Sequence, residues 1–235
     1  SVEPMAARVH PEDVRSAHQS MHHLVADSDW SDAALLAAVA REVVPILSEA
    51  GKTPCFWIID DTGFRKYGKH SVGVARQYCG QLGKTDNCQV AVSLSLATAD
   101  GSVPLDYRLY LPQEWTEDKG RCKRAGVPKE IAFATKGELA WRQIEAALAA
   151  GIPRGTVLMD AGYGDEAALR DRLSAHGLPY AVGIKPATAV WWDEYQPAPA
   201  PVQQARGRRR IRVLRDETHQ PIGVRELAQA LPAAS

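Results

Sequence analysis

Two stretches of this chain carry an apolar run into aspartate and then glycine. They are Ile58-Ile59-Asp60-Asp61-Thr62-Gly63 and Leu158-Met159-Asp160-Ala161-Gly162-Tyr163-Gly164-Asp165. Short apolar runs bounded by turn residues are predicted strands. If both strands lie side by side in one sheet, their ends present neighbouring carboxylates. Paired carboxylates are hard oxygen donors of the kind that hold Mg²⁺. Two such ions can activate a nucleophile and stabilise a leaving oxygen when a phosphodiester is cut. The expected chemistry is metal-dependent cleavage or strand transfer on nucleic acid. Asp60 and Asp61 are adjacent on an extended chain and point to opposite faces, so only one can readily share an ion with Asp160. A lone Asp-Thr-Gly merely opens a turn; the recurrence in two strands is what argues for a site. Asp165 and Glu166 read instead as helix-start carboxylates favoured by the macrodipole.

The elements that would position these acids follow from periodicity. Residues 11–26 form a predicted helix, with Pro11 in its first turn. Ser31-Asp32 caps a second, which runs along Leu35, Leu36, Val39, Val43, Val44 and Leu47 until Gly51 stops it. Cys55 to Ile59 is a strand of the kind covered on both faces. Gly63 to His70 is a basic, glycine-containing loop. Gln89 to Ala97 alternates as a half-buried strand, Asp100-Gly101 signals a hairpin, and the return strand spans about Val103 to Leu111. Next come a helix over Gly137–Ala150, a strand over Thr156–Met159, a helix over Asp165–His176 and a strand over Tyr180–Ile184. Three antiparallel strands followed by alternating helices and strands make a mixed-sheet α/β domain. After Trp191 the chain becomes proline-rich, then strongly basic, and Val224–Leu231 is a last short helix.

Bulk composition narrows the function classes only partly. The 235 residues suit one large domain or two small ones, and 45% apolar residues are enough for a core. Lys plus Arg equals Asp plus Glu at 28 each, so the sum says nothing about a DNA partner and the distribution decides. No run approaches the roughly 18 apolar residues of a membrane span. The N-terminus lacks the features of a secretion signal, and Cys55, Cys79, Cys88 and Cys122 are scattered without Cys-x-x-Cys spacing, as suits a reducing cytoplasm.

With this order of elements, the chain resembles insertion-sequence transposases of the DDE superfamily. The resemblance lies in Ile59–Phe64 and His70–Gly80, then in Gly83, Asp86–Val90, Tyr107–Pro112, Ala125–Pro128 and Asp160–Gly164, with Ala17-His18-Gln19-Ser20 near the start. It implies a ribonuclease-H-like catalytic fold in which two aspartates and a glutamate hold two divalent metals, Mg²⁺ or Mn²⁺. The first aspartate maps onto Asp61 or Asp60. Asp61 is favoured, because related transposases place an acid before the ligand and threonine after it. The second maps onto Asp160. In the family, metal-activated water cuts the transposon end, and the freed 3′-hydroxyl attacks target DNA without a covalent protein–DNA intermediate. The partners implied are transposon-end and target DNA, with a homodimer in a synaptic complex, in the bacterial cytoplasm at the nucleoid. The family's glutamate lies on a helix beyond an inserted subdomain, and Asp193, Glu194, Glu217 and Glu226 do not match its context. The chain is therefore expected to be an N-terminal portion of such an enzyme, truncated before the third acid. On that expectation, residues 1–51 are a helical, DNA-binding flank, 52–190 a partial catalytic core and 191–235 the start of an inserted β-rich region. Two outcomes stay open: a metal-dependent DNA-cleaving transposase, or an inactive remnant that binds only DNA or intact transposase. Arg65 and Tyr67 depart from the residues usual in the family, so that loop is expected to differ in shape.

Charge patterning adds candidates for the DNA contact. Arg65, Lys66, Lys69 and His70 follow the first aspartates directly and are expected to hold phosphates. Arg208, Arg209, Arg210 and Arg212 lie in an arginine run with Ile211, Val213 and Leu214 interleaved, which suggests a strand with a basic face. His18 and His22 lie one helical turn apart but lack a matching third metal ligand. Trp191-Trp192 reads as packing at a subdomain edge rather than a base-stacking platform. A phosphatase with a nucleophilic aspartate needs two aspartates spaced by one residue, and Asp60 and Asp61 are adjacent.

Overall fold

The computed structural model describes residues 2–49, 52–191 and 220–231. Three helices come first: α1 (Val2–Val9), α2 (Val14–Asp27) and α3 (Asp32–Leu47). α2 starts later than its sequence suggests, because the Asp13 carboxylate accepts the Ser16 N–H and makes Asp13 the cap, leaving Pro11 in the preceding turn. Ser31 caps α3 through the Ala34 N–H, as its sequence predicts.

The sheet holds six strands among the described residues: β1 (Phe56–Arg65), β2 (Ala75–Cys79), β3 (Lys84–Ala97), β4 (Ser102–Tyr110), β5 (Thr156–Met159) and β6 (Tyr180–Val182). β1, β3 and β4 form the expected antiparallel meander, turned at Asp100-Gly101. β5 then joins the free edge of β1 in parallel, and β6 joins β5 in parallel. The result is the mixed α/β sheet expected of a ribonuclease-H-like domain. One strand was not foreseen: β2 pairs with Lys84–Cys88 and extends β3 backwards by five residues. The polar run Lys84-Thr85-Asp86-Asn87 hides this extension from a hydrophobicity pattern.

Alternation assigns the faces. Trp57 and Ile59 on β1 pair with Leu96 and Leu94 on β3 and with Val157 and Met159 on β5. All six are buried in one core cluster. Helix α6 (Lys136–Ala149) supplies Ala140, Trp141 and Ile144 to it, α3 supplies Ala40 and Val44, and α8 (Ala167–Ala175) supplies Leu169 and Leu173. The opposite face remains partly exposed, with Phe56 at 38% and Ile58 at 36%. Gln143 of α6 donates to the Val92 carbonyl at 3.0 Å and locks the helix to the sheet.

Short helices complete the chain. α4 (Gln113–Glu117) and α5 (Lys119–Arg124) follow β4, and α7 (Ala161–Gly164) follows β5. A small separate pairing joins β7 (Ala189–Val190) to β8 (Ile222–Gly223), which leads into α9 (Val224–Ala230), the expected last helix.

Candidate active site

β1 and β5 run together from Phe56↔Thr156 to Ile59↔Met159. There β5 ends. Asp160 turns the chain into α7, its Oδ1 accepting the N–H groups of Gly162 (2.9 Å) and Tyr163 (3.4 Å). β1 does not end: it stays paired with β3 through Asp60↔Ser93 and Asp61↔Val92 to Arg65↔Cys88. The expectation that both strands close on their aspartates is thus corrected for β1. Asp60 and Asp61 lie mid-strand, because β3 is long enough to pair with all of β1. They stand at an open tip only on the β5 side, one and two residues past the parallel register.

Alternation splits the pair. Asp61 shares the face of Trp57 and Ile59, and its carboxylate meets the ammonium of Lys136, the first residue of α6. Asp60 lies on the other face, and its Oδ1 accepts the Asp61 N–H at 2.7 Å. Lys136 is delivered by a capping box: Thr135 Oγ1 accepts the Glu138 N–H and Glu138 accepts the Thr135 N–H.

Tyr163 is buried beside this cluster. Its ring is buried at 2% exposure, and its hydroxyl has no hydrogen-bond partner among the described residues. Burial raises its pKa first, then the negative charges of Asp61, Asp60 and Asp160 in that order. One buried hydroxyl therefore sits within electrostatic reach of all three aspartates. Glu166 belongs to the same neighbourhood. Its carboxyl lies against Gly137 at the start of α6; burial and Glu138 raise its pKa, opposed by the Gly137 N–H. Asp165 is spent elsewhere, accepting the Lys185 N–H (3.2 Å) and pairing with its ammonium at 2.7 Å.

Lys136 and Tyr163 were given no role by sequence reasoning. The Thr135-x-x-Glu138 spacing was a legible helix-start signal that fixes Lys136 at the first helical position. Nothing local points that lysine at an aspartate 75 residues earlier. Tyr163 stands inside the second motif, but its depth depends on α7 folding back beneath the β5 tip.

The candidate DNA-contacting residues divide. Arg65 pairs with Asp86 at 3.4 Å and lies over the Tyr67 ring, so it is committed to its own sheet. Lys66 is held through its backbone by Asn87. Lys69 and His70 are exposed. Arg208, Arg209, Arg210 and Arg212 lie outside the described residues, as do Trp192, Asp193, Glu194 and Glu217. His18 and His22 have ring centroids 6.3 Å apart and acquire no third ligand.

The donor set suits a hard divalent ion in one respect: it is all oxygen, and it includes an orphaned buried hydroxyl. Among the described residues no three acidic, histidine or cysteine side chains converge to hold a metal unaided. Mg²⁺ commonly uses one or two carboxylates and fills its octahedron with water and substrate phosphate, a mode that needs no third protein ligand.

Comparison with known proteins adds family context. A family model described as a DDE superfamily endonuclease matches residues 1–234. The chain is also 33% identical, over 147 residues, to a protein of Microchaete diplosiphon described as a probable transposase for insertion sequence element IS701. That match covers 63% of this chain and 35% of the relative, so the chain spans about a third of the relative's length.

Proposed function

This chain belongs to the DDE superfamily of endonucleases, and from that premise we propose that it carries catalytic carboxylates of an insertion-sequence transposase. The observation that best supports this reading is the parallel register, which ends at Ile59↔Met159 and so leaves Asp60 one step and Asp61 two steps beyond it, next to the Asp160 turn. Asp61 and Asp160 would hold Mg²⁺ or Mn²⁺, with Asp60 as the alternative on the open face. When bound, the metal would supply Lewis-acid activation of water and stabilisation of the leaving 3′-oxygen. Asp160 is held in place by the α7 N–H groups it accepts, so its carboxylate is oriented before any ligand arrives. Tyr163 walls the site with a ring and leaves one hydroxyl to receive a hydrogen bond. Lys136 neutralises Asp61 until a stronger cation or a phosphate competes for it. Residues 1–51 serve in this proposal as a helical DNA-binding flank, 52–190 as the catalytic core and 191–235 as the start of an inserted region. Transposon-end and target DNA are the partners, in a paired complex of two protomers in the bacterial cytoplasm.

Lys136 on Asp61 also favours a second reading, in which the chain binds DNA or intact transposase without cutting. One assay separates the two. The purified chain is incubated with Mn²⁺ and supercoiled plasmid. The catalytic reading expects nicking that Asp160→Ala abolishes. Plasmid that stays supercoiled, while the chain still binds it, would leave the binding role.

A further inference from the structure

Arg121 ties two basic segments into one surface. Its guanidinium lies 3.7 Å from the centre of the Trp115 ring and donates to the carbonyls of Lys69 (3.0 Å) and Val74 (3.4 Å). The Trp115 indole N–H donates to the same Val74 carbonyl at 2.8 Å. The Asp118 carboxylate caps α5 through the Arg121 N–H at 2.8 Å, which fixes the start of that helix. Through these bonds the loop carrying Lys69 and His70 is fastened to the helix carrying Arg121 and Arg124. Between them lies a cavity of about 290 Å³, lined by Lys69, His70, Trp115, Arg121, Arg124 and Ala125.

The lining holds three permanent cations and an imidazole and no acid. None of Lys69, His70, Arg121 and Arg124 takes part in the ion pairs found among the described residues, whereas Arg65, Arg108, Lys136 and Lys185 all do. Lys119 and Lys123 extend the charge along α5. Unpaired like charges held close together repel one another, and the nearby Asp118 carboxylate accepts the Arg121 backbone N–H rather than pairing with these side chains. The loop leaves the C-terminal end of β1, the same end of the sheet at which β5 delivers Asp160.

We propose that the cavity between the Lys69-His70 loop and α5 seats backbone phosphates of duplex DNA. This rests on the proposed nucleic-acid function and adds a contact site that includes α5. A guanidinium already braced on an aromatic ring and two carbonyls keeps its remaining donors oriented for phosphate oxygens. Contacts of this kind position a duplex without reading its sequence.

The test is the salt dependence of binding of a labelled duplex of arbitrary sequence by the full chain, compared with the Lys69→Gln/Arg124→Gln variant. Both side chains are exposed, so folding is not at stake, and Arg121 is left untouched because it braces the loop. Each lost phosphate contact flattens the log–log salt slope by about one. The double variant is expected to lose about two units of slope and to bind every duplex sequence more weakly by a similar factor. The charge-conserving Lys69→Arg/Arg124→Lys variant should restore the slope. A wild-type slope in the Gln variant, with DNA still bound, overturns the cavity assignment and leaves the carboxylate reading intact. Failure of the wild-type chain to bind duplex at all overturns both.

Discussion

Lys136 is the residue whose position changes most about the site, because it gives Asp61 a resident counter-charge. Any divalent cation must displace that ammonium. Lys136→Met is therefore expected to tighten Mn²⁺ binding several-fold, read by titration of free Mn²⁺ in the absence of DNA. An unchanged affinity would mean that the ammonium does not compete at Asp61. Tyr163 carries a second expectation. A buried hydroxyl without a partner costs about 1–3 kcal/mol in desolvation. Tyr163→Phe should leave the metal-free chain as stable or up to about 1 kcal/mol more stable in urea unfolding, and a clear loss would reveal a hydrogen bond at that oxygen. Glu166 gives a pH signature. Its pKa is raised, with burial the largest cause, so the fold tolerates the neutral acid better than the carboxylate. The stability tied to this shift is present below the ordinary glutamate range and fades as pH rises through the folded-state value. Glu166→Gln should match the parent below about pH 4 and exceed it at neutral pH, read by urea unfolding at both pH values. Cys88 was set aside as a scattered thiol, and its pKa is pushed up to about 11, chiefly by burial. Since the thiolate is the reactive form, it should resist alkylation at neutral pH while the half-buried Cys122 reacts first.

Among the elements, the start of α6 and the turn after β5 do most to shape the site. Thr135→Ala removes one arm of the capping box and should cost about 1 kcal/mol, with the Lys136 ammonium less firmly held; thermal melting with and without Mn²⁺ reads both effects. Gly164 lies so close to the Gly183 carbonyl that a Cβ would overlap it. Gly164→Ala must push α7 off the chain after β6, carrying Asp160 and Tyr163 with it, and should lower the melting temperature far more than an exposed Gly68→Ser control. These tight contacts show what a sequence discloses and what it conceals. The Asp-Ala-Gly-Tyr-Gly run was legible as a strand end and turn. The reason its second glycine must be glycine is the Gly183 carbonyl just past β6, which no local pattern reports. The β5 bounds, Thr156–Met159, follow directly from an apolar run closed by Asp160. β2 and the early part of β3 stayed hidden because their residues are polar and pair at the sheet's margin. Likewise, α4 and α5 are too short for helical periodicity to emerge.

At the level of the whole molecule, the sheet has a strong middle and weaker flanks. β3 pairs with β1, β2 and β4, and its Val92, Leu94 and Leu96 are fully buried. By contrast α2 buries no side chain. Hydrogen exchange should be slowest in β1 and β3 and fastest in α1 and α2, by several orders of magnitude. The broad architecture was readable because it rests on period-two runs and helix caps. The candidate site was readable only as three aspartates, because its lysine arrives from α6, its tyrosine from α7 and Glu166 from the start of α8, by long-range packing. The unequal flanks of β1 have one more result. From Asp61 to Arg65 that strand continues for four residues, roughly 13 Å at the usual rise, in unbroken register with β3. Along a duplex axis this corresponds to about four base pairs. On the proposed function β1 is thus a measuring rod: the protected footprint on DNA should begin a fixed few base pairs from the cut, whatever the sequence between them.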